Sequence, residues 1–166
     1  MPITYQAEDV FFQDFLPLIA ELVCGVDYAP ENQQHATWLR KRIAALFMSG
    51  GRALCIYDDE GVPMGFLLLV HDRGPDGVKR FQKKATIALL GFYPAYRGNG
   101  QGTALLSEAQ RYVKDHGGEC IYVSTYSKNA RVINFFSKNG FIPAAYHPGE
   151  NGIADEGQIY LYNEIV

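Results

Sequence analysis

Residues 93–103, YPAYRGNGQGT, follow an apolar stretch and precede a segment with the apolar spacing of a helix. Glycine stands at three alternate positions in this turn, Gly98, Gly100 and Gly102. The first N–H groups of a helix have no partner within it, and the helix macrodipole places about half a positive charge there. Glycine also lacks the Cβ atom that would hold an anion off the backbone. A strand, a glycine-dense turn and a helix start together predict a phosphate site, the alternative being a tight turn without a ligand.

The residues after Gly102 exclude two other nucleotide motifs. A Walker phosphate loop needs Lys and then Ser or Thr after its last glycine, whereas Thr103 and Ala104 follow here. A dinucleotide fingerprint needs glycine where Thr103 stands. Its ribose-binding acid should end the next strand, but Glu119 begins it. Neither motif fits.

Hydrophobic periodicity and turn residues predict the order β-α-α-β-β-β-α-β-α-β-β. Helices are predicted over 9–23, 32–48, 100–116 and 129–138. Strands are predicted over 3–6, 52–57, 63–71, 80–93, 119–126, 141–147 and 158–164, the last two as a hairpin. The stretch 87–92 is apolar on both faces, which suits the centre of a covered sheet. The fold class is therefore α/β (α+β): a mixed, mostly antiparallel central sheet of about seven strands, with helices on both faces.

Several residues carry local expectations within these elements. Pro17 is expected to kink or break the first helix. Trp38 is placed on the inner side of the second helix, together with Leu39 and Ile43. Gly91, inside the long strand, indicates a bulge or a place where another backbone comes close. Asn139 and Gly140 predict a left-handed end to the fourth helix.

Composition limits the class of protein. A chain of 166 residues and 18.5 kDa fits one domain, residues 1–166. Its net charge of −3 lacks the basic excess typical of a nucleic-acid binder. The basic cluster that does occur fits a solvated hairpin: Lys79, Arg80, Lys83 and Lys84.

Neither a membrane segment nor a metal site is predicted. The longest aliphatic run, residues 66–70, is far too short to cross a bilayer, and the first residues do not resemble a signal peptide. The three cysteines, Cys24, Cys55 and Cys120, are odd in number, far apart and set among apolar neighbours. They are expected to be reduced, buried thiols of a cytoplasmic protein.

Two stretches together resemble the GNAT superfamily of N-acetyltransferases. The family signature is Arg or Gln, two residues, Gly, one residue, then Gly or Ala, and Arg97, Gly100 and Gly102 match it. Pro94, three residues before the arginine, is also at a habitual place. A second stretch is similar to the later motif of the family: Asn129, a helix, then KNGF at 138–141. The predicted element order is that of the family, so the resemblance covers nearly the whole chain.

The resemblance implies a mechanism that uses acetyl-coenzyme A. The pantetheine arm is expected to pair like an extra strand in a split between the long strand and the next one, opening near Gly91. The N–H groups of 97–103 would hold the pyrophosphate, and Asn129 would reach the cofactor. A main-chain N–H near Phe92 would polarise the thioester carbonyl for direct attack by an amine. The implied cofactor-binding residues are Phe92, Tyr93, Arg97, Gly98, Asn99, Gly100, Gln101, Gly102, Thr103, Asn129 and Phe136.

The proton donor and the base that family members often use are both missing. Many members have a Tyr that protonates the departing thiolate, and its place here is Phe136. A thiol of pKa about 8.5 is a fair leaving group, so the lack of a proton donor is expected to lower the rate by only about one or two powers of ten. Tyr126 or an ordered water is the expected substitute, unless Tyr126 serves only in packing. Members also often carry a Glu on the long strand, yet residues 83–92 contain no acid.

Water chains are expected to take the proton of the amine. Polar residues in or beside the last hairpin loop would face the acceptor and attract a cation, or simply form a solvated loop: His147, Glu150, Asp155 and Glu156.

The main hypothesis is a cytoplasmic N-acetyltransferase that acts on a primary amine of a small molecule or peptide. The missing acid and base leave open a coenzyme A-binding module with little or no catalysis. A third alternative is a different nucleotide-phosphate binder. The first two helices, their loop at 25–31 and the last hairpin would shape the acceptor site. No nucleic acid and no membrane is expected as a partner, and the sequence leaves room for a homodimer.

Overall fold

The computed structural model describes residues 2–25, 32–71, 81, 83–148 and 157–165. Its elements follow the predicted order. They are β1 (Ile3–Gln6), α1 (Glu8–Cys24), α2 (Gln33–Met48), β2 (Arg52–Tyr57), β3 (Pro63–His71), β4 (Lys84–Phe92), α3 (Gln101–Asp115), β5 (Cys120–Tyr126), α4 (Ala130–Lys138), β6 (Ile142–His147) and β7 (Gln158–Glu164). A short 3-10 helix, Pro94–Tyr96, lies between β4 and α3.

The strands form one seven-stranded sheet in the order β1-β2-β3-β4-β5-β7-β6. The β4–β5 pair is parallel, and its register runs from Lys84↔Cys120 to Thr86↔Tyr122. The pairs β1–β2, β2–β3, β5–β7 and β6–β7 are antiparallel, the last being the predicted hairpin. The predicted fold class, a mixed and mostly antiparallel sheet with helices, is confirmed. The long strand occupies the middle of the sheet, as its apolar stretch indicated.

Some predicted features lie outside the described residues. They are the loop at 26–31, the basic residues Lys79 and Arg80 with the predicted start of the long strand, and the hairpin-loop acids Glu150, Asp155 and Glu156. The chain divides into two compact units, Met1–Val70 with Ala88–Ala109, and His71–Ile87 with Gln110–Val166.

The first unit buries both faces of the β2–β3 pair. Side chains alternate between the faces of a strand, so every second residue points toward α1 and α2. That set is Ala53, Cys55, Phe66 and Leu68, which share a core with both helices. The set between them, Leu54, Ile56, Leu67 and Leu69, points the other way and is equally buried. Near-continuous apolar runs on these strands follow from this double coverage.

Aromatic packing joins α1 to the sheet within this unit. Phe11 and Phe15 meet Phe66 edge-to-face, with ring centroids 4.7 and 5.2 Å apart. Tyr93, just after β4, stacks on Phe15 at 6.2 Å. Such pairs contribute about 0.5–1.5 kcal/mol each beyond their buried area. They fix α1 above the end of β4, where the glycine-rich turn begins.

The second unit is built on β5, β7 and β6. β5 and β7 pair along their whole length, from Cys120↔Glu164 to Tyr126↔Gln158. One small core contains Phe81, Cys120 and Tyr122. In the same unit α4 buries Phe136, which meets Phe141 edge-to-face at 5.1 Å. Gly140 has φ +89°, which confirms the predicted left-handed end of α4.

Three local predictions need correction. Pro17 does not break α1, which is helical from Glu8 to Cys24. Trp38 was predicted to point inward but is 51% exposed, because α2 buries a narrow stripe around Leu39 and Ile43. Its ring instead lies beside the Arg42 guanidinium, 5.8 Å from the centroid. Lys84, predicted to be solvated, is buried and donates to the Phe81 carbonyl oxygen at 3.0 Å.

The cysteines are free, and two of them are buried as predicted. Cys55 and Cys120 are inaccessible, whereas Cys24 is half-buried. Burial, with the Asp14 carboxylate as the second cause, raises the pKa of Cys55 to about 12. This thiol therefore stays protonated at neutral pH, which suits a packing residue.

Gly65 on β3 is a position where any larger residue should destabilise the first unit. A Cβ atom there would lie 2.7 Å from the Gly91 carbonyl oxygen and collide with the Phe92 ring. We expect Gly65→Ala to lower the free energy of unfolding by about 2 kcal/mol, since backbone must move. Gly91→Ala is the matched control. Its Cβ would meet the Cδ1 atom of Leu22 at 2.7 Å, and this flexible, partly exposed side chain can rotate away. Urea unfolding measures both, and an equal loss in the two variants would contradict the argument.

Candidate active site

The turn after β4 requires glycine for its backbone conformation. Gly98 has φ +83° and Gly100 has φ +76°, in the left-handed region that L-residues with a Cβ atom rarely adopt. A Cβ atom at either position would meet no other atom within 4 Å. Glycine is therefore needed here for conformation, while the space above the turn stays open to a ligand.

A row of unpaired donors follows from this conformation. Ala104 N–H donates to the Gly100 carbonyl at 3.3 Å, which is the first hydrogen bond of α3. Within the described part of the chain, the N–H groups from Gly98 to Thr103 have no acceptor. The first turn of α3 also contains no acidic residue. Donors, helix dipole and absence of negative charge are the features that favour an anion at a helix start.

Arg97 stands apart from that row of donors. Its N–H donates to the Pro94 carbonyl at 3.4 Å, so the unpaired donors begin one residue later than the sequence predicted. Its guanidinium points back along the chain. Nε donates to the Phe92 carbonyl oxygen at 2.9 Å, and Nη2 contacts Glu21 Oε1 at 3.1 Å.

The other anchor of the turn is Tyr96. Its hydroxyl donates to Asp58 Oδ2 at 3.2 Å. Asp58 also accepts the N–H groups of Val62 and Glu60 at 2.9 Å each. The Val62 N–H bond, followed by the other two, holds the pKa of Asp58 below its usual value. The turn is thus tied at its start to the β2–β3 connection and to α1.

Both backbone polar groups of Phe92 lie on the edge of β4 that faces away from β3. Tyr93 N–H donates to the Met64 carbonyl on β3 at 2.9 Å. Because successive N–H groups of a strand point to opposite edges, the Phe92 N–H points away from β3. The Phe92 carbonyl lies on that same edge and is the one that Arg97 contacts. The predicted oxyanion donor is therefore on the edge of β4 that β3 does not use.

Gly91 is packed closely on its α1 side. Leu22 Cδ1 lies 2.7 Å from the place of a Cβ atom, and the Gly91 carbonyl oxygen is the close neighbour of Gly65. The close neighbour of Gly91 on this side is therefore a side chain of α1, whereas the sequence predicted a bulge or another backbone.

Three predicted site residues belong to the second unit. Asn129 caps α4, its side-chain oxygen accepting the Val132 N–H at 3.4 Å, while its amide N–H groups find no acceptor among the described residues. Tyr126 is 58% exposed at the end of β5. Phe136, which has no hydroxyl to donate a proton, is 2% exposed and packs edge-to-face between Phe135 and Phe141.

Sequence reasoning missed a polar network that connects α1, β1 and β2. Tyr57 donates to Asp14 Oδ2 at 2.7 Å, and Gln6 Nε2 donates to the Tyr57 hydroxyl at 3.0 Å. Burial and the Asp14 hydrogen bond raise the pKa of Tyr57. Glu21 was missed as well, because it lies 76 positions from Arg97 and no spacing rule connects the two.

The sequence profile of the Acetyltransferase (GNAT) family matches residues 19–141. The chain belongs to the GNAT acetyltransferase family. It is accordingly an acyl-coenzyme A-dependent acyltransferase, and acetyl-coenzyme A is its cofactor. No curated protein has a matching sequence.

Solved structures show the GNAT fold over the full length. An aminoglycoside 6'-acetyltransferase type Ii superposes with a TM-score of 0.72 at 18% identity, covering 100% of this chain and 98% of that one. An aminoglycoside 6'-N-acetyltransferase complexed with coenzyme A gives 0.71 at 17% identity, with coverages of 100% and 98%. A GNAT acetyltransferase from Staphylococcus aureus Mu50 gives 0.65 at 15% identity, with coverages of 99% and 100%.

The described residues contain neither a membrane-spanning helix nor a cluster of metal ligands. No helix there is both long and apolar enough to cross a bilayer. No group of three or more His, Cys, Asp or Glu side chains there could hold a metal ion.

Proposed function

We propose that residues 1–166 form an N-acetyltransferase domain that moves the acetyl group of acetyl-coenzyme A to a primary amine of a small molecule or peptide. The observation that carries the proposal is the row of unpaired N–H groups from Gly98 to Thr103, beneath open space. Two structures with the same fold are aminoglycoside acetyltransferases, which is compatible with a small-molecule acceptor.

Each part of the first unit has a distinct role in this proposal. Acetyl-coenzyme A supplies the thioester whose carbonyl carbon the amine attacks directly. The N–H groups after Arg97 bind the diphosphate. The Phe92 N–H donates to the thioester carbonyl oxygen and stabilises the negative charge that develops there. Tyr93, stacked on Phe15, holds the end of β4 against α1.

The cofactor is also assigned contacts in the second unit. Asn129 has spare amide N–H donors, because capping α4 uses only its side-chain oxygen. As the C–N bond forms and the C–S bond breaks, a proton must reach the sulfur. Phe136 has no hydroxyl to provide it, so Tyr126 or water is the donor.

Tyr126→Phe tests that assignment. We expect kcat to fall about tenfold, since a positioned acid contributes roughly 10²–10⁴-fold and water replaces part of it. The dissociation constant for acetyl-coenzyme A should not change, because the phenol binds no phosphate. Stopped assays of thiol release at saturating substrates measure kcat. An unchanged kcat would show that water, and not Tyr126, protonates the departing thiolate.

The proposal as a whole is tested by binding and turnover. Thermal shift with acetyl-coenzyme A, coenzyme A and ATP is followed by thiol release with a panel of small-molecule and peptide amines. We expect both coenzyme A species to raise the melting temperature, ATP to have no effect, and at least one amine class to release thiol. An ATP shift equal to that of acetyl-coenzyme A would favour a general nucleotide-phosphate binder.

A further inference from the structure

The arginine of the signature connects two elements instead of pointing at the phosphate turn. Its Nε donates to the Phe92 carbonyl and its Nη2 contacts Glu21, one turn before the end of α1. The guanidinium is planar and rigid, so the positions of its two contacts are fixed relative to each other. All three residues belong to the first unit.

We propose that Glu21 is a positioning residue for acetyl-coenzyme A binding, acting through Arg97 on the phosphate turn and on the backbone of Phe92. The inference rests on the proposed function and deepens it. Glu21 holds the guanidinium, the guanidinium holds the Phe92 carbonyl, and the turn starts at Arg97 itself.

The turn needs such support because of its own composition. Gly98 and Gly100 give it the required backbone but also more conformational freedom than other residues would. A turn already ordered before the ligand arrives binds it more tightly, because less freedom is lost on binding. The Arg97 contacts supply that order at the start of the turn, and the Tyr96–Asp58 hydrogen bond adds to it at the same end.

The Arg97 guanidinium also changes the electrostatics at the edge of β4. The Phe92 carbonyl oxygen and the Phe92 N–H lie on the same edge, so the negative end of the carbonyl dipole faces the developing oxyanion. A charge-assisted hydrogen bond from Arg97 offsets that dipole. Glu21 therefore supports both the binding of the diphosphate and the alignment of the oxyanion donor.

A direct phosphate contact by Arg97 makes the opposite prediction for Glu21. If the guanidinium left Glu21 to meet the diphosphate, the carboxylate would compete with the ligand, and its removal would tighten binding. If Glu21 is a positioning residue, its removal weakens binding. Whether Glu21→Ala weakens or tightens the binding of acetyl-coenzyme A therefore distinguishes a positioning role from a direct phosphate contact.

The experiment measures acetyl-coenzyme A affinity and kinetics for Glu21→Ala, Glu21→Gln, Arg97→Ala and the Glu21/Arg97 double alanine variant. We expect about threefold to tenfold weaker binding for Glu21→Ala and at least tenfold for Arg97→Ala, within the range of coupled polar contacts. Glu21→Gln keeps an acceptor oxygen and should recover part of the loss. The double variant should bind no worse than Arg97→Ala, because Glu21 acts only through Arg97.

Asp115→Ala is the matched control. It removes another exposed ion pair, Arg111–Asp115 at 2.8 Å, whose side chains are 60% and 54% exposed, against 40% and 53% for Arg97 and Glu21. Exposed pairs contribute little stability, so melting temperatures should hardly move in either case. Only the Glu21 and Arg97 variants should raise KM for acetyl-coenzyme A, with KM for the amine unchanged.

Unchanged or tighter binding in Glu21→Ala would overturn the inference while the wild type still binds. A wild type that shows neither thermal shift nor turnover would overturn the proposed function, and the inference with it. Additive losses in the double variant would show that Glu21 acts independently of Arg97, and would also overturn it.

Discussion

Gly100→Glu is expected to weaken acetyl-coenzyme A binding at least about a hundredfold, or about 2.7 kcal/mol. Two causes add. The position has φ +76°, which costs an L-residue about 1–2 kcal/mol. The new carboxylate would stand among the N–H groups from Gly98 to Thr103, where the diphosphate is proposed to bind, and repel it. Calorimetric titration with acetyl-coenzyme A measures the change.

Gly117→Glu is the control for strain and charge. Gly117 has the same φ of +76° and lies just past the other end of α3. A Cβ atom there would have the Lys83 Nζ atom as its nearest neighbour, at 3.9 Å, so the side chain has room. We expect a similar loss of stability without loss of affinity. Equal losses of affinity in the two variants would mean that position 100 acts through folding alone.

Gly100→Asn separates the two causes within position 100. Asn tolerates a positive φ better than other residues with a Cβ atom and adds no charge. Its affinity should lie between those of the wild type and Gly100→Glu. An affinity as low as that of the Glu variant would make strain, and not repulsion of the diphosphate, the cause.

The architecture was predictable because each strand is identified by local signals. Arg52–Tyr57 and Pro63–His71 flank a turn of acids and glycine, and their predicted bounds agree with the structure. The long strand is apolar on both faces, and it lies in the middle of the sheet as that pattern predicts. Asn129 and Gly140 mark the two ends of α4 for reasons internal to the helix.

The errors concern contacts that local patterns do not contain. Trp38 has helical spacing with apolar neighbours, yet the width of the buried stripe depends on what α2 packs against. Lys84 reads as one of a basic cluster, but the Phe81 carbonyl allows its ammonium group to be buried. The turn was recognised from its glycines, whereas its support by Glu21 and Asp58 comes from distant parts of the chain. Long-range polar partners of this kind leave no periodic signal.

The expected pH dependence of kcat/KM follows from the absence of an acid on β4. The strand Lys84–Phe92 reads KATIALLGF and contains no Asp, Glu or His. Among the polar side chains near its end, Asp14 already accepts the Tyr57 hydroxyl. We therefore predict that the amine loses its proton to solvent before attack. For an alkyl amine of pKa about 10.4, that costs about 4–5 kcal/mol at pH 7.

For such an amine, kcat/KM is expected to rise about tenfold per pH unit, hence about a hundredfold between about pH 6.5 and 8.5. The value of kcat/KM rises with pH because only the neutral amine can attack, and the neutral fraction of the amine grows until the pH reaches its pKa. An α-amino acceptor, with a pKa of about 7.7–8.0, should instead level off near pH 8. Initial rates of thiol release across this range, corrected for hydrolysis of the thioester, measure both profiles.

The comparison between the two acceptors decides whether the protein supplies a base. If deprotonation is left to solvent, the profile of the α-amino acceptor breaks near pH 8, whereas that of the alkyl amine, whose pKa is about 2.5 units higher, still rises at about pH 8.5. If a side chain takes the proton, both profiles break at the pKa of that side chain, whichever amine is used. A shared break near neutral pH would therefore reveal a general base outside β4 and contradict the prediction.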